Sequence, residues 1–171
     1  MSNHPAPDDF NGQCRARIRR YEGYEHKVYI DTKGHPTVGI GFNLDRPDAP
    51  ALLKAQKLDY AKVRAGTQTL TDAQIAALFQ HDLQNVLAEA PKAVKNFAAL
   101  SGPRRFVIVD MIFNLGVAGF KDFKKAIAAI QHDNFAEAAA QMKDSDWYTQ
   151  VGHRSVEDCA MMKTGHWGPL N

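Results

Sequence analysis

The pattern of apolar and polar positions changes early in the chain. Residues 13–21 are polar and rich in arginine, and Gly23 follows where a short helix would end. The next residues carry two β-branched and aromatic runs, KVYI and TVGIGF, on either side of the turn-forming segment DTKGHP. This arrangement predicts a β-hairpin near the N-terminus.

Helical periodicity begins after the predicted hairpin. Residues 51–60 are expected to form a short helix. Thr71 and Gln74 have the spacing of a capping box, and apolar residues recur behind them at helical spacing. The pattern predicts one long helix over residues 72–90 that ends before Pro91.

The C-terminal half is also predicted to be helical. SGP at 101–103 supplies a capping serine and an early proline, and residues 104–116 are apolar on nearly every side. A helix of this kind is buried inside its domain. Further amphipathic helices are expected at about 119–131, 134–143 and 153–163.

These elements predict an α+β protein that is mainly helical and has one small sheet near its N-terminus. At 171 residues the chain has the length of one domain, or of two small lobes that share a core. We therefore expect a polar tail at residues 1–12 and a single domain over residues 13–171.

Charge and composition narrow the classes of function. A formal net charge of +2 does not favour a nucleic-acid partner. The cluster Arg15, Arg17, Arg19 and Arg20 is a local exception, and we interpret it as the solvated face of a helix. Nucleic-acid binding through these arginines would need an aromatic platform or a recognition motif, and neither accompanies them.

The cysteines and histidines predict no metal site and no other cofactor. Cys14 and Cys159 are far apart in sequence and are expected to be free thiols. His26 and His35 lie near the hairpin, where hydrogen-bonding roles are expected for them. The N-terminal residues include no apolar segment typical of a signal peptide, and no run is long enough to span a membrane. We expect synthesis in the cytoplasm without a signal peptide.

The segment YEGYEHKVYIDTKGHPTVGIGF combines three side chains of chemical interest. A hairpin would bring Asp31 close to Thr37, with Glu22 facing them across a gap. Two carboxyl groups on either side of a cleft are what glycosidic bond hydrolysis requires. The residues alone also fit solvated turn carboxylates, since Asp31 and Gly34 suit the first and fourth positions of a type I turn.

The spacing Glu-x8-Asp-x5-Thr, followed by the TVGIGF strand, resembles the phage T4-type lysozymes, the endolysins and muramidases of glycoside hydrolase family 24. The similarity continues at RRFVIVDMIFNLGVAGF and at DNFAEAAAQMKDSDWYTQVGHRS, and it covers residues 14–167. The resemblance implies a two-lobed fold. The small lobe would span about 22–72, a linking helix about 72–90, and a large helical lobe about 91–171 together with the helix at 13–21.

The resemblance also implies an activity and roles for particular residues. Such an enzyme hydrolyses the β-1,4 bond between N-acetylmuramic acid and N-acetylglucosamine of peptidoglycan. Glu22 would be the general acid, and Asp31 and Thr37 would hold the attacking water. The remaining matched positions are substrate-binding Leu44, Phe113 and Asn114, and supporting Arg154. The chain departs from the family pattern at Phe42, where many relatives have His, and at Glu157, which replaces a basic residue.

Two other functions remain open for the same fold. A lytic transglycosylase cleaves the same bond without water and could dispense with Asp31 and Thr37. A catalytically silent peptidoglycan-binding module would need none of the three chemical residues.

The expected partner is bacterial peptidoglycan, met by a monomeric protein in the periplasm or cell wall. Delivery could follow a holin-type release of a phage endolysin. An antibacterial effector would instead use a secretion machinery and be countered by an immunity inhibitor protein.

Overall fold

The computed structural model describes residue 6 and residues 8–170, and it confirms the predicted α+β class. Most of these residues are helical, and a three-stranded antiparallel sheet, with its strands adjacent in chain order, lies near the N-terminus. The chain forms two compact units. We call residues Ile18–Gln84 the sheet unit, and the residues before Ile18 together with those from Asn85 onward the helical unit.

The sheet unit holds the strands and four partial or complete helices. Its elements are the end of α1 (Phe10–Glu22), β1 (Glu25–Ile30), β2 (Pro36–Gly39), β3 (Phe42–Asn43), α2 (Ala49–Ala55), α3 (Tyr60–Arg64) and the first part of α4 (Asp72–Ala93). Its apolar core includes Val38, Leu53 and Leu83, each without solvent exposure. Since α1 and α4 each contribute residues to both units, the expected lobe boundaries stay a prediction.

The predicted hairpin is in fact a three-stranded sheet. TVGIGF does not run as one strand, because Gly39 and Gly41 have φ angles of 68° and 64°. These left-handed conformations suit glycine and turn the backbone, so that Phe42 begins a third strand. β2 pairs with β1 at Thr37 and Tyr29, and with β3 at Thr37 and Asn43.

Several helix boundaries differ from the prediction. α1 begins at Phe10 because the Asp9 carboxylate accepts the Gly12 N–H at 2.9 Å, which caps the helix earlier. The expected helix at 51–60 is wrong as one element, since α2 ends at Ala55 and α3 begins at Tyr60.

The capping box of the long helix is confirmed by a hydrogen bond from the Gln74 N–H to the Thr71 hydroxyl at 3.3 Å. However, α4 continues through Pro91 to Ala93. A proline this close to the end removes one hydrogen bond from the last turns without stopping the helix.

The helical unit packs its elements around a buried central helix. In addition to the parts of α1 and α4 outside the sheet unit, it contains a 3-10 turn (Phe97–Ala99), α5 (Gly102–Lys121), α6 (Lys124–Gln131), α7 (Phe135–Lys143), α8 (Asp146–Gln150) and α9 (His153–Thr164). The prediction that residues 104–116 are buried holds for Phe106 through Ile112.

The segment expected as one helix at 119–131 is divided between α5 and α6. α5 itself contains a break at Gly116, whose φ of 73° is not helical. The short helix α8 was not predicted. In the described residues no helix combines the length and apolar character needed to cross a membrane.

The arginine cluster on α1 is only partly a solvated face, which corrects the prediction. Arg15 and Arg19 are exposed, but Arg17 is 1% exposed. Its guanidinium donates to the Gly168 carbonyl at 2.6 Å and lies 4.9 Å from the Trp167 ring centroid. Arg17 therefore anchors the C-terminal segment of the helical unit. Half of the expected polar tail lies outside the described residues, and residues 10–12 belong to α1.

Both cysteines are free thiols in the structure. Burial raises the pKa of Cys14 and of Cys159 to about 12. Since the thiolate is the reactive form, we expect both thiols to react slowly with oxidants at neutral pH.

Candidate active site

Glu22 is the last residue of α1 and is half-buried. Gly23 has a φ of 81° and ends the helix with a hydrogen bond from its N–H to the Arg19 carbonyl. The Glu22 side chain lies against the backbone of Gly41. A Cβ atom at Gly41 would stand 3.1 Å from Glu22 Oε2, so the glycine leaves room for this carboxyl group. Gly41 belongs to the TVGIGF motif, but the sequence interpretation did not predict its contact with Glu22.

Asp31 follows β1 and is held by the backbone of the turn it opens. Its Oδ1 accepts the N–H groups of Lys33 and His35, each at 2.8 Å. The Gly34 N–H donates to the Asp31 carbonyl at 3.0 Å, as the turn prediction required. The bond from His35, with a further contribution from Lys33, lowers the pKa of Asp31. The turn therefore stabilises Asp31 as a carboxylate.

Thr37 is placed beside Asp31 at the start of β2, as the hairpin predicted. Its hydroxyl oxygen lies 3.5 Å from Asp31 Oδ2 and 3.1 Å from the His35 carbonyl oxygen. Only 2% of Thr37 is exposed, so packing fixes the position of this hydroxyl. Asp31 and Thr37 thus form one polar pair on the sheet unit.

Tyr29 is a site residue that the sequence interpretation missed. It pairs with Thr37 across the sheet, which places both side chains on the same face. Its hydroxyl lies 3.5 Å from the Glu22 carbonyl oxygen. Burial, followed by the charges of Glu22 and Asp31, raises the pKa of Tyr29. The phenol therefore lies within electrostatic reach of both carboxylates. Its pairing with Thr37 across the predicted hairpin could have identified it.

We predict that Asp31 stays ionised well into the acidic range. Because its pKa is lowered in the folded state, the associated stabilisation is present above the unfolded-state pKa and is lost as pH falls through the folded-state pKa. If Asp31 must be ionised for activity, the acidic limb of the rate profile will lie at a pH below the ordinary aspartate pKa of about 3.9.

A ¹³C NMR titration of the Asp31 carboxyl group, made together with clearing rates against pH, tests this prediction. A titration midpoint at or above the ordinary aspartate value would contradict it. Asp59→Asn provides the control variant for the clearing rates. Asp59 also accepts a backbone N–H, but it caps α3.

Phe42, the departure from the family pattern, is buried and contacts a charged network in the sheet unit. The guanidinium carbon of Arg46 lies 4.9 Å from its ring centroid, and Arg46 binds both Asp82 oxygens at 2.8 Å. Burial raises the pKa of Asp82, and the pairing with Arg46 opposes that shift. The Phe42 ring thus packs against the guanidinium of an Arg–Asp ion pair.

The predicted substrate-binding residues have different surroundings. Leu44 is fully buried in the sheet unit, and its carbonyl accepts the Tyr60 hydroxyl at 2.9 Å. Phe113 and Asn114 are half-buried on α5 of the helical unit. The Trp147 indole N–H donates to Asn114 Oδ1 at 3.2 Å, which fixes the amide oxygen. Contact of these residues with substrate stays a prediction.

Arg154, predicted as a supporting residue near Glu22, makes a buried ion pair in the helical unit. Its Nε donates to Asp110 Oδ2 at 2.6 Å, and a terminal nitrogen donates to Oδ1 at 2.9 Å. Glu157, the second departure from the family pattern, lies 3.2 Å from the His153 ring. The role of Arg154 toward Glu22 stays a prediction.

Comparison with known proteins places this chain in a family. A family model described as phage lysozyme matches residues 19–158. The chain is 30% identical over 153 residues to probable T4-type lysozyme 1 of Dictyostelium discoideum, covering 84% of this chain and 89% of the relative.

Two phage relatives are longer than this chain. The pre-baseplate central spike protein Gp5 of Enterobacteria phage T4 is 27% identical over 97% of this chain and 30% of its own length. Peptidoglycan hydrolase gp36 of Pseudomonas phage phiKMV is 26% identical over 86% of this chain and 14% of its own length. With the family match spanning most of its residues, the chain belongs to the phage lysozyme family.

Proposed function

We propose that this protein is a muramidase that uses water to hydrolyse the β-1,4 bond between N-acetylmuramic acid and N-acetylglucosamine. Membership of the phage lysozyme family supports a glycosidase that acts on peptidoglycan. The observation that carries the finer proposal is the pair formed by Asp31 and Thr37, in which the Thr37 hydroxyl lies 3.5 Å from Asp31 Oδ2. Tyr29 lies next to this pair, and burial together with the charge of Glu22 raises its pKa. A transglycosylase has no need of such a pair.

In this mechanism Glu22 protonates the oxygen of the leaving sugar. A general acid must bring its proton within hydrogen-bond distance of that oxygen, and the packing of Glu22 against Gly41 restricts the carboxyl group. The oxocarbenium-like transition state then develops positive charge on the sugar that remains.

Asp31 and Thr37 act together on the attacking water. The Asp31 carboxylate accepts a proton from this water, and its lowered pKa keeps it ionised for that role. Thr37 has one hydrogen to donate, and the His35 carbonyl at 3.1 Å can accept it. The lone pairs of the Thr37 oxygen are then directed to accept from water, which fixes the orientation of the nucleophile.

The experiment that tests the proposal is mass and NMR analysis of the products from purified peptidoglycan. We expect reducing N-acetylmuramic acid ends with inverted anomeric configuration, because water would attack from the face opposite the leaving sugar. Digestion in ¹⁸O-labelled water should place one heavy oxygen at each new end. Anhydro ends without label would instead establish the transglycosylase, and the absence of any cleavage would establish a silent binding module.

We further propose that the substrate is met in the periplasm or cell wall after release or delivery. The spike protein of phage T4 and the phiKMV hydrolase support a phage setting, since each contains a matching segment within a longer chain. A monomeric enzyme is sufficient for the chemistry, because Glu22, Asp31 and Thr37 all belong to one chain.

A further inference from the structure

Three ionisable side chains are buried together between α5 and α9 of the helical unit. Asp110 on α5 and Asp158 on α9 have no solvent exposure, and Arg154 on α9 is 6% exposed. None of the roles assigned above uses Asp158. Arg154 forms an ion pair with Asp110, and its charge also acts on Asp158.

The hydrogen bonds of this cluster are distributed unequally. Arg154 donates to both oxygens of Asp110, at 2.6 Å and 2.9 Å. Among the residues that the structure describes, no donor forms a hydrogen bond with either Asp158 oxygen. A side-chain hydrogen bond between Asp158 and Asp110 nevertheless contributes to raising the pKa of Asp158. Two ionised carboxylates at this contact would repel each other, and Asp158 would lack any donor.

We propose that Asp158 is protonated in the folded protein and donates its O–H to Asp110. The cluster then consists of a guanidinium cation, one carboxylate and one neutral carboxylic acid, and its net charge is zero. A buried charge without a partner costs far more than a neutral acid whose hydrogen is bonded, so folding selects this protonation state. The proton completes the cluster that fixes the Arg154 guanidinium between α5 and α9.

The surrounding groups favour the same assignment. Burial, followed by the charge of Asp110, raises the pKa of Asp158 well above its usual value. Glu157 on α9 adds negative charge, and Arg154 opposes the shift. On the α1 side, the charge of Asp110 contributes to raising the pKa of the Cys14 thiol. On α7, the exposed Lys143 opposes the rise in the pKa of Cys159.

Because Asp158 is protonated in the folded protein, the stability of the fold decreases as pH rises. The folded-state pKa of Asp158 is above its unfolded-state value, so its contribution is fully present below the unfolded-state pKa. It is lost as pH rises through the folded-state pKa. Over that window the unfolding equilibrium constant attributable to this group rises by up to about tenfold per pH unit. Loss of the proton would also weaken the packing that positions Arg154.

The test compares chemical denaturation of the unmodified protein and Asp158→Asn between pH 4 and 9. The asparagine is neutral at every pH and can donate an N–H to Asp110. We therefore expect the difference in stability between the two proteins to change with pH in favour of Asp158→Asn as pH rises. Asp122→Asn, which alters an exposed aspartate in the same unit, should leave the pH profile of the unmodified protein unchanged. Parallel profiles for the unmodified protein and Asp158→Asn would overturn the proposal.

A second measurement needs no substitution in the cluster. The ¹³C chemical shift of the Asp158 carboxyl group, assigned through its backbone resonances, distinguishes acid from carboxylate in the native protein. We expect the acid at pH 7, and a carboxylate at that pH would overturn the proposal even if Asp158→Asn did not fold. Neither measurement depends on catalysis, so their outcome is separate from that of the proposed muramidase activity.

Discussion

Replacing Glu22 by glutamine is expected to lower the rate of peptidoglycan hydrolysis by a factor of about 10²–10⁴. The amide cannot donate the proton that the leaving sugar oxygen requires. Glutamine has nearly the same shape, so it can occupy the space next to Gly41 that the Glu22 side chain fills in the structure. The change therefore removes the acid while it preserves the packing at the end of α1.

Turbidity clearing of purified cell walls measures the rate, and thermal melts establish that the variant is folded. Glu25→Gln serves as the matched control, because Glu25 begins β1 and is exposed. We expect this control to clear at nearly the rate of the unmodified protein. A correctly folded Glu22→Gln protein that clears cell walls at a similar rate would falsify the assignment of Glu22 as the general acid.

The sequence predicted the chemistry of the sheet unit better than the course of its backbone. The juxtaposition of Asp31 and Thr37 follows from local turn rules, since five intervening residues that include Gly34 and Pro36 leave few ways to connect two paired strands. The third strand was missed because TVGIGF has the composition of one continuous strand. Gly39 and Gly41 adopt positive φ angles that composition does not reveal.

The helical unit shows a different limit of sequence interpretation. The burial of residues 106–112 could be predicted because they are apolar around the whole helix. Asp110 interrupts that apolar run, and its partner Arg154 is 44 positions away in sequence. Local periodicity carries no information about such a distant pair. The resemblance to a known family identified Arg154 and predicted a role for it toward Glu22, and it gave no reason to consider Asp158.

The pairing of Arg154 predicts a large loss of stability for Arg154→Met. An ion pair at the surface is worth about 0–1 kcal/mol, whereas removal of one partner from a buried pair costs about 3–5 kcal/mol. Arg154 is 6% exposed and Asp110 is fully buried, so the larger figure applies. Methionine keeps much of the apolar stem, and the expected loss therefore arises mainly from the charge of Asp110, which is left without its cation.

The measurement is the free energy of unfolding in urea for Arg154→Met, Asp110→Asn and the double variant. Each single change breaks the pair and should destabilise the protein. The double change removes both charges, and it should cost less than the sum of the single changes by about 0.5–3 kcal/mol. Lys163→Met provides the control, because it removes an exposed positive charge from the same helix α9 and introduces the same residue. Additive losses, or an Arg154→Met loss as small as that of Lys163→Met, would show that the Arg154–Asp110 pair does not stabilise the contact between α5 and α9.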